Sequence, residues 1–376
     1  MNRLRAARRV LGPPVGAVLL AVVVASVILA VSGANPFVAF GNVLEYGTRL
    51  ETLVEAFNRA TPLYLSGIAF AIAMRMNLFQ IGVEGQYILA AFVAAYVGAG
   101  VGSLFPPLHV LTIILVAMLV GAAWSGLAGW MKVTRNVHEV ISTIMLNAIA
   151  VGGVVSFLLG RWSIESESLD TRLGDIATTG WFPSLNPILE LVTREIKRVE
   201  LTGFILVAAA VGVGYHLLLN RTRLGFDLRA TGTNPWAAEA SGVPPKRTIV
   251  LAMLISGAVA GLVGMADLLG DQHFYSLRFP QGLGFAGIAV ALLGRNHAVG
   301  AAIAAVAFGW LERASGVLEV RGDAPREIVT IMVGVIILFA VIAYALAQRR
   351  RRIEAAAAAA AQVVEAPEVD AKEADT

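Results

Sequence analysis

From Leu108 to Met131 the chain carries no Asp, Glu, Lys or Arg. A helix of about 20 apolar residues crosses the hydrocarbon core of a bilayer, and helices are the only open structures that satisfy their own backbone there. Long, mostly apolar stretches recur from Pro14 to Ser32, Glu139 to Gly160, Leu201 to Leu219, Thr248 to Leu269 and Ile328 to Ala347. Composition agrees: 57% of the residues are hydrophobic, 15% are charged and the mean hydropathy is +0.74. An all-α polytopic membrane protein is expected. With no cysteine in the chain, disulfides, thiolate metal sites and cysteine nucleophiles are excluded.

Between these blocks lie shorter or glycine-interrupted stretches, Thr61 to Met74, Gly85 to Val101, Gly284 to Gly294 and Val299 to Trp310. They read as spans that are broken or partly buried in protein, which brings the expectation to about ten. Arginine and lysine placement fits that number. The basic N-terminus (1–13), the 221–247 loop and Arg349 to Arg352 then all face the cytoplasm, while the mixed-charge segments Gly33 to Ala60 and Arg161 to Glu200 face outward. The expected division is a cytoplasmic N-terminus at 1–13, a membrane domain at 14–347 and a basic, then acidic, disordered cytoplasmic tail at 348–376. A cleaved signal peptide is the alternative for the N-terminus, but its apolar run is longer than a usual signal core. Five spans on each side of the external 161–200 loop would make two inverted halves, each holding a short, polar-broken span.

The polar groups inside apolar sequence narrow the function. Met76 to Phe92 reads MNLFQIGVEGQYILAAF, with Asn77, Gln80, Glu84 and Gln86 between two runs apolar enough for lipid. Such groups are expensive at membrane depth and face a cavity, a partner or a pathway. They are placed to line or gate a path, to cap helix ends, or both. Asn147 lies inside another span as interhelical glue or path lining. Glu84 has Arg75 as a candidate partner nearby in sequence.

Several motifs point away from chemistry. GLGFAG, Gly282 to Gly287, fits a dinucleotide fingerprint but opens a membrane helix instead of following a strand, so close helix packing is its expected use. Gly257 and Gly261 form a small-xxx-small packing face. HEVIS, from His138, lacks the second histidine of a zinc protease, so no metal site is expected. No lysine sits in a phosphate-loop context, so any ATP must be hydrolysed by another polypeptide.

The segment LGFDLRATGTNPWAAEASGV, Leu224 to Val243, is more than a connector. A Gly and Asn-Pro turn leads into a short helix starting near Pro235, with Ala237, Ala238 and Ala240 on it and Gly242 ending it. Lying along the membrane surface, such a helix suits a groove on a partner, with Arg229 available for charged contacts.

Four stretches together, MNLFQIGVEGQYILAAF, NVHEVISTIMLNAIA (Asn136 to Ala150), FDLRATGTNPWAAEASGV and GLGFAGIAVALLGRNHAVG (Gly282 to Gly300), resemble the permease subunits of bacterial ABC importers for nucleosides and simple sugars. That family is related to ribose and branched-chain amino acid permeases. The likeness runs from about Thr61 to Ala347 in the same order. It implies a type II importer-like fold in the bacterial plasma membrane, both termini cytoplasmic, and a translocation path for nucleosides, with a ribose-like sugar or a branched-chain amino acid as the alternative cargo.

By the same resemblance, Asn77, Phe79, Gln80, Glu84, Gln86, Tyr87, Asn147 and Phe285 are expected on the substrate path, the aromatic groups being suited to stacking on a base. Arg229, Gly232, Asn234, Pro235, Ala237, Ala238 and Gly242 match the segment that couples to the ATPase. Trp162, Trp181, Gln272, His273 and Phe274 are expected to meet an extracytoplasmic substrate-binding protein. The implied partners are a cytoplasmic ABC ATPase, a second permease that is similar or identical, the binding protein and membrane lipid, but no nucleic acid. The chain is not expected to be an enzyme or to bind a cofactor, because ATP and magnesium belong to the ATPase. The rival of another class, an ion-gradient-driven secondary transporter, would need membrane carboxylates poised for protons or sodium, and few lie in the clear spans.

Overall fold

The computed structural model describes residues 19–102, 104–164, 171–187, 190, 199–339 and 341–342. Two units divide the chain. One takes its described residues from 19–36 and 324–342, with helical stretches at 19–31 and 326–339. The expected first and last spans fall there, in part outside the described residues, and the basic N-terminus at 1–13 and the tail at 348–376 lie wholly outside them.

The larger unit, Phe37–Asp323, holds the membrane helices. In chain order its elements are α1 (Pro36–Gly47), α2 (Leu50–Met74), α3 (Val83–Gly100), α4 (Pro106–Arg135), α5 (Glu139–Trp162), α6 (Phe204–Arg221), α7 (Arg223–Thr233), α8 (Pro235–Ala240), α9 (Pro245–Gly261, continuing to Gln272), α10 (Leu283–Leu293) and α11 (Ala298–Ser315). Among the described residues β-structure is confined to isolated bridges, such as Arg172 with Ser276. Among the described residues six single helices are long and apolar enough to cross a membrane: α3, α4, α5, α6, the Pro245–Gln272 helix and Ala298–Val320. The expected ten exceeds this for identifiable reasons. α10 has only 11 residues, and α2 places Glu51, Glu55, Asn58 and Arg59 in its first three turns.

Local signals set the helix ends. α4 opens with Pro at its first turn and closes on Asn136 in the left-handed region at φ 55°, with Lys132 and Arg135 in its last turn facing the negative end of the dipole. Lys132 also reaches the buried Glu139 carboxylate at 2.5 Å, so the HEVIS motif serves to seat the start of α5.

Helix packing follows the small residues. A Cβ on Gly257 would come within 2.3 Å of the Gly121 carbonyl, and one on Gly261 within 2.1 Å of the Ala117 carbonyl. Only glycine at these positions lets α9 and α4 approach backbone to backbone. Gly287 in the GLGFAG segment does the same for α10 against Ser66 of α2, where a Cβ would stand 1.9 Å from the Ser66 hydroxyl. The segment packs helices, as its place in an apolar run implied.

Candidate functional site

Two discontinuities organise the polar interior. α2 ends at Met74, and the chain then runs non-helically through residues 75–82 before α3 begins. α10 likewise starts directly from irregular chain, and both helices take a glycine as N-cap, Gly82 and Gly282. Their N-termini meet. A Cβ on Gly284 would lie 2.4 Å from the backbone nitrogen of Glu84, so the residue two past each cap is where the helices touch.

Glu84 closes this junction. Its carboxylate accepts the backbone N–H of Gly282 at 2.6 Å and of Gly284 at 2.8 Å, and the Tyr87 hydroxyl lies 3.1 Å away. Both amides belong to the unpaired donors of a helix start, where negative charge is stabilising. Glu84, only 6% exposed, therefore has Gly282, Gly284 and Tyr87 as its partners in place of Arg75. Arg75 points elsewhere, donating to the Asn296 carbonyl at 2.6 Å and to the Tyr215 hydroxyl at 3.2 Å, while Tyr215 donates to the same carbonyl at 2.6 Å. Arg295 and Asn296 sit at φ 60° and 54° in the break between α10 and α11, backbone that non-glycine residues seldom adopt.

The amides knit the first break into its neighbours. Gln80, fully buried, donates to Gln86 Oε1 at 2.9 Å and to the Ser125 hydroxyl at 3.1 Å. Its own oxygen lies 2.6 Å from Ser256 Oγ, which is also 2.5 Å from the Ala69 carbonyl. Asn147 bridges the same break, donating to the Ile81 carbonyl at 2.8 Å and accepting the Gly85 N–H at 2.9 Å. Each satisfies backbone or side-chain groups that an interrupted helix would otherwise leave unpaired. Phe79 packs edge-on against Phe70 with ring centroids 5.2 Å apart, and Phe285 is 53% exposed.

Asn77 leads out of the interior. It adopts φ 55° and donates to the Gly232 carbonyl in α7 at 2.6 Å, and a Cβ on Gly232 would fall 2.1 Å from the Arg75 carbonyl. The 223–242 segment is thus clamped onto the end of α2. α8 forms as its residues dictate: Asn234 Oδ1 accepts the N–H groups of Trp236 and Ala237, Pro235 occupies the first turn, and Gly242 follows at φ 84°. Ala238 is buried.

Two features of this segment depart from the sequence reading. Residues 223–233 form a helix, α7, capped by Thr222 accepting the Gly225 N–H at 3.0 Å, where a turn was expected. Arg229 also makes a contact within the chain that the sequence did not indicate: its guanidinium donates to the Leu219 carbonyl at the end of α6. Sequence reasoning also passed over the segment's large exposed groups, Trp236 at 82% and Phe226 at 58% exposed. The signal was present as a tryptophan in an otherwise alanine-rich helix.

At the end of the bundle bearing residues 171–187, extended chain lies against residues 269–276. The Ile176 N–H donates to the His273 carbonyl, Leu173 to Tyr275 and Phe182 to Leu269, each at 2.9 Å. This brings Trp181 and His273 into a parallel stack with centroids 3.8 Å apart. Trp162 instead stacks on Tyr96 at 4.4 Å, and Phe274 lies under the Arg172 guanidinium at 4.6 Å. Beneath the Trp181–His273 stack is a cavity of about 580 Å³ whose walls include Glu55, Arg59, Glu200, Asp267, Asp271 and Arg313. Burial holds the His273 imidazole below its ordinary pKa, with the Asp271 and Glu200 carboxylates opposing the shift.

Comparison with known proteins agrees with this architecture. Residues 52–341 match the family described as the permease component of the branched-chain amino acid transport system. The guanosine ABC transporter permease NupP of Bacillus subtilis is 33% identical, covering 89% of this chain and 93% of its own length. The glucose permease TsgB13 of Haloferax volcanii is 32% identical, covering 88% and 87%, and the nucleoside permease NupB of Lactococcus lactis is 29% identical, covering 90% and 92%. No solved structure matches the chain. The family match over residues 52–341 and the likeness to these permeases, on a polytopic helical fold, identify the chain as a member of this ABC transporter permease family.

Proposed function

We propose that the chain is one permease subunit of an ATP-driven importer and forms part of the translocation path for nucleosides. The observation that carries this reading is the clamp between the 223–242 helix pair and the break after α2, through Asn77 and Gly232. A surface helix pair fixed to the hinge of the interior transmits an outside force inward, and a secondary transporter has no use for one. The exposed Trp236 and Phe226 are the anchors an ATPase would engage, since buried aromatic groups dominate such interfaces.

In this reading the 223–242 segment faces the cytoplasm and the Trp181–His273 end faces outward, in accord with the arginine and lysine placement. ATP binding closes two ATPases and pulls on the helix pair of each permease. The pull reaches the α2–α3 break through Asn77, and the α10–α11 break through Arg75 and Tyr215. The junction at Glu84 then opens or closes, and hydrolysis resets it. The chain makes and breaks no covalent bond and binds no cofactor; ATP and magnesium reside on the ATPase. An external binding protein delivers cargo, and a second permease completes the path.

The guanosine and nucleoside transport named for two relatives supports this cargo, and the glucose transport named for a third makes a simple sugar the alternative. Uptake of labelled guanosine, with ribose and leucine alongside, in source cells with and without this chain tests it. Loss of guanosine uptake alone is expected; loss of ribose or leucine uptake instead would keep the importer and reassign the cargo.

A further inference from the structure

A groove of about 550 Å³ runs between α2, α6 and α11, apart from the helix breaks and the 223–242 segment. Its floor is small and apolar, with Ala60 from α2, Ala208 and Gly212 from α6 and Ala305 from α11, all buried. Among the described residues no Asp, Glu, Lys or Arg lines it. A nucleoside or a sugar would leave its donors and acceptors unpaired on such walls, so neither cargo fits. A single flexible apolar chain does.

Three polar side chains line the groove, and two of them keep a donor to offer. The Thr61 hydroxyl is spent on the Phe57 carbonyl of its own helix, at 3.0 Å. Asn220 Nδ2 lies 3.2 Å from His216 Nδ1, which accepts from it and so leaves the ring N–H on Nε2. The Tyr64 hydroxyl donates no hydrogen bond among the described residues, and it abuts Gly212, where a Cβ would stand 1.9 Å from it.

The order of these groups selects the ligand. Tyr215 donates to the Asn296 carbonyl at 2.6 Å, so the residues that follow each, His216 and His297, both exposed, mark one mouth of the groove, where α11 begins. The nearby Arg295 and the positive end of α11 make this mouth favourable to an anion. The Tyr64 hydroxyl, at the level of Gly212, lies one helical turn or about 6 Å farther in than His216. Beyond it the groove continues along α6 to Ile205 for about 10 Å more, with no further free donor.

We infer that the groove holds one acyl chain of an anionic phospholipid, its phosphate at the His216 mouth and its ester carbonyl accepting the Tyr64 O–H. In the orientation proposed above the mouth opens toward the cytoplasm, the side on which basic recesses between spans take anionic headgroups. A free fatty acid has the charge and the chain but no ester one turn in. A helix of a second permease has its carbonyls paired within itself and offers Tyr64 and His216 no acceptor.

The test is native mass spectrometry of the whole importer, stripped of lipid and titrated with dioleoyl phosphatidylglycerol, its ether-linked analogue, dioleoyl phosphatidylcholine and oleate. Phosphatidylglycerol should bind about fivefold more tightly than phosphatidylcholine, the worth of one basic group near the phosphate, and about fivefold more tightly than its ether analogue, the worth of one hydrogen bond. Tyr64→Phe should erase the ester–ether difference and keep the headgroup preference. His216→Ala should lower the affinity for both linkages about fivefold. Ala209→Phe, at an exposed position on the wall, should fill the groove and abolish tight binding; if that variant fails to reach the membrane, Tyr64→Phe still decides. Equal binding of ester and ether forms by the wild type, oleate held as tightly as phosphatidylglycerol, or variants that bind as the wild type does would each overturn the site. So would an Ala209→Phe importer that keeps its lipid and loses the second permease. The readout is lipid bound and not cargo moved, so a different cargo leaves the site standing.

Discussion

Asn77 donates its side-chain N–H to the Gly232 carbonyl at 2.6 Å, joining the hinge after α2 to a helix 155 residues further along the chain. Because Asn77 sits at φ 55°, the informative substitution is Asn77→Asp, which tolerates that backbone but sets a carboxylate against a carbonyl. ATP hydrolysis should continue while guanosine moved per ATP falls about fivefold, the worth of roughly 1 kcal/mol of lost hydrogen bonding. A normal transport-to-hydrolysis ratio in reconstituted importer would remove this contact from the coupling route.

Glu84 holds two helix N-termini together, so Glu84→Gln should act on stability as well as on uptake. The amide keeps one acceptor but turns an NH2 toward a backbone donor at Gly282 or Gly284. A loss of about 2 kcal/mol is expected, read as a lower thermal midpoint of the detergent-purified chain. An unchanged midpoint would mean that the junction does not depend on the charge.

Trp236 projects from α8 with 82% of its surface exposed, beside the turn that Asn234 and Gly242 define. Trp236→Ala should leave the spans folded and weaken association with the ATPase by at least 2 kcal/mol, about thirtyfold, as removal of a central aromatic anchor does. Co-purification of the ATPase at wild-type yield and affinity would place the docking surface elsewhere.

Much of the local structure was legible because local rules decide it. The α8 start at Asn234-Pro235, its stop at Gly242, and the α9 packing face at Gly257 and Gly261 need only a few neighbouring residues to specify them. α7 was missed because its polar sequence, with Gly225 and Gly232 in it, reads as a loop, and its cap and its hold on Leu219 become visible only in three dimensions. The partners of Glu84 lie about 200 residues away, at Gly282 and Gly284, where no spacing rule reaches. The nearby Arg75 was a reasonable candidate by charge alone, yet the fold sends it to Asn296 and Tyr215. The cavity under Trp181 is assembled from five separated segments and leaves no signature in any one of them.

His273 should give the end of the bundle bearing residues 171–187 a pH dependence. Its folded pKa is depressed by burial below the unfolded value of about 6.5, so the neutral ring is the form the fold favours. That contribution is complete above about pH 6.5 and is lost as the pH falls through the folded pKa. Between pH 7.5 and 5.5 the thermal midpoint of the wild type should therefore drop more than that of His273→Asn, a residue that accepts the left-handed backbone at φ 61°. Equal drops would show that the ring does not titrate against the stack.

The central claim is that force on the 223–242 helices drives transport, and the energy source tests it most directly. Importer reconstituted in vesicles with its ATPase and binding protein would be supplied with guanosine, and ATP and ion gradients would be varied separately. Uptake should require ATP on the Trp236 side of the membrane and persist when every ion gradient is collapsed. Uptake that follows a proton or sodium gradient and ignores ATP would contradict the account.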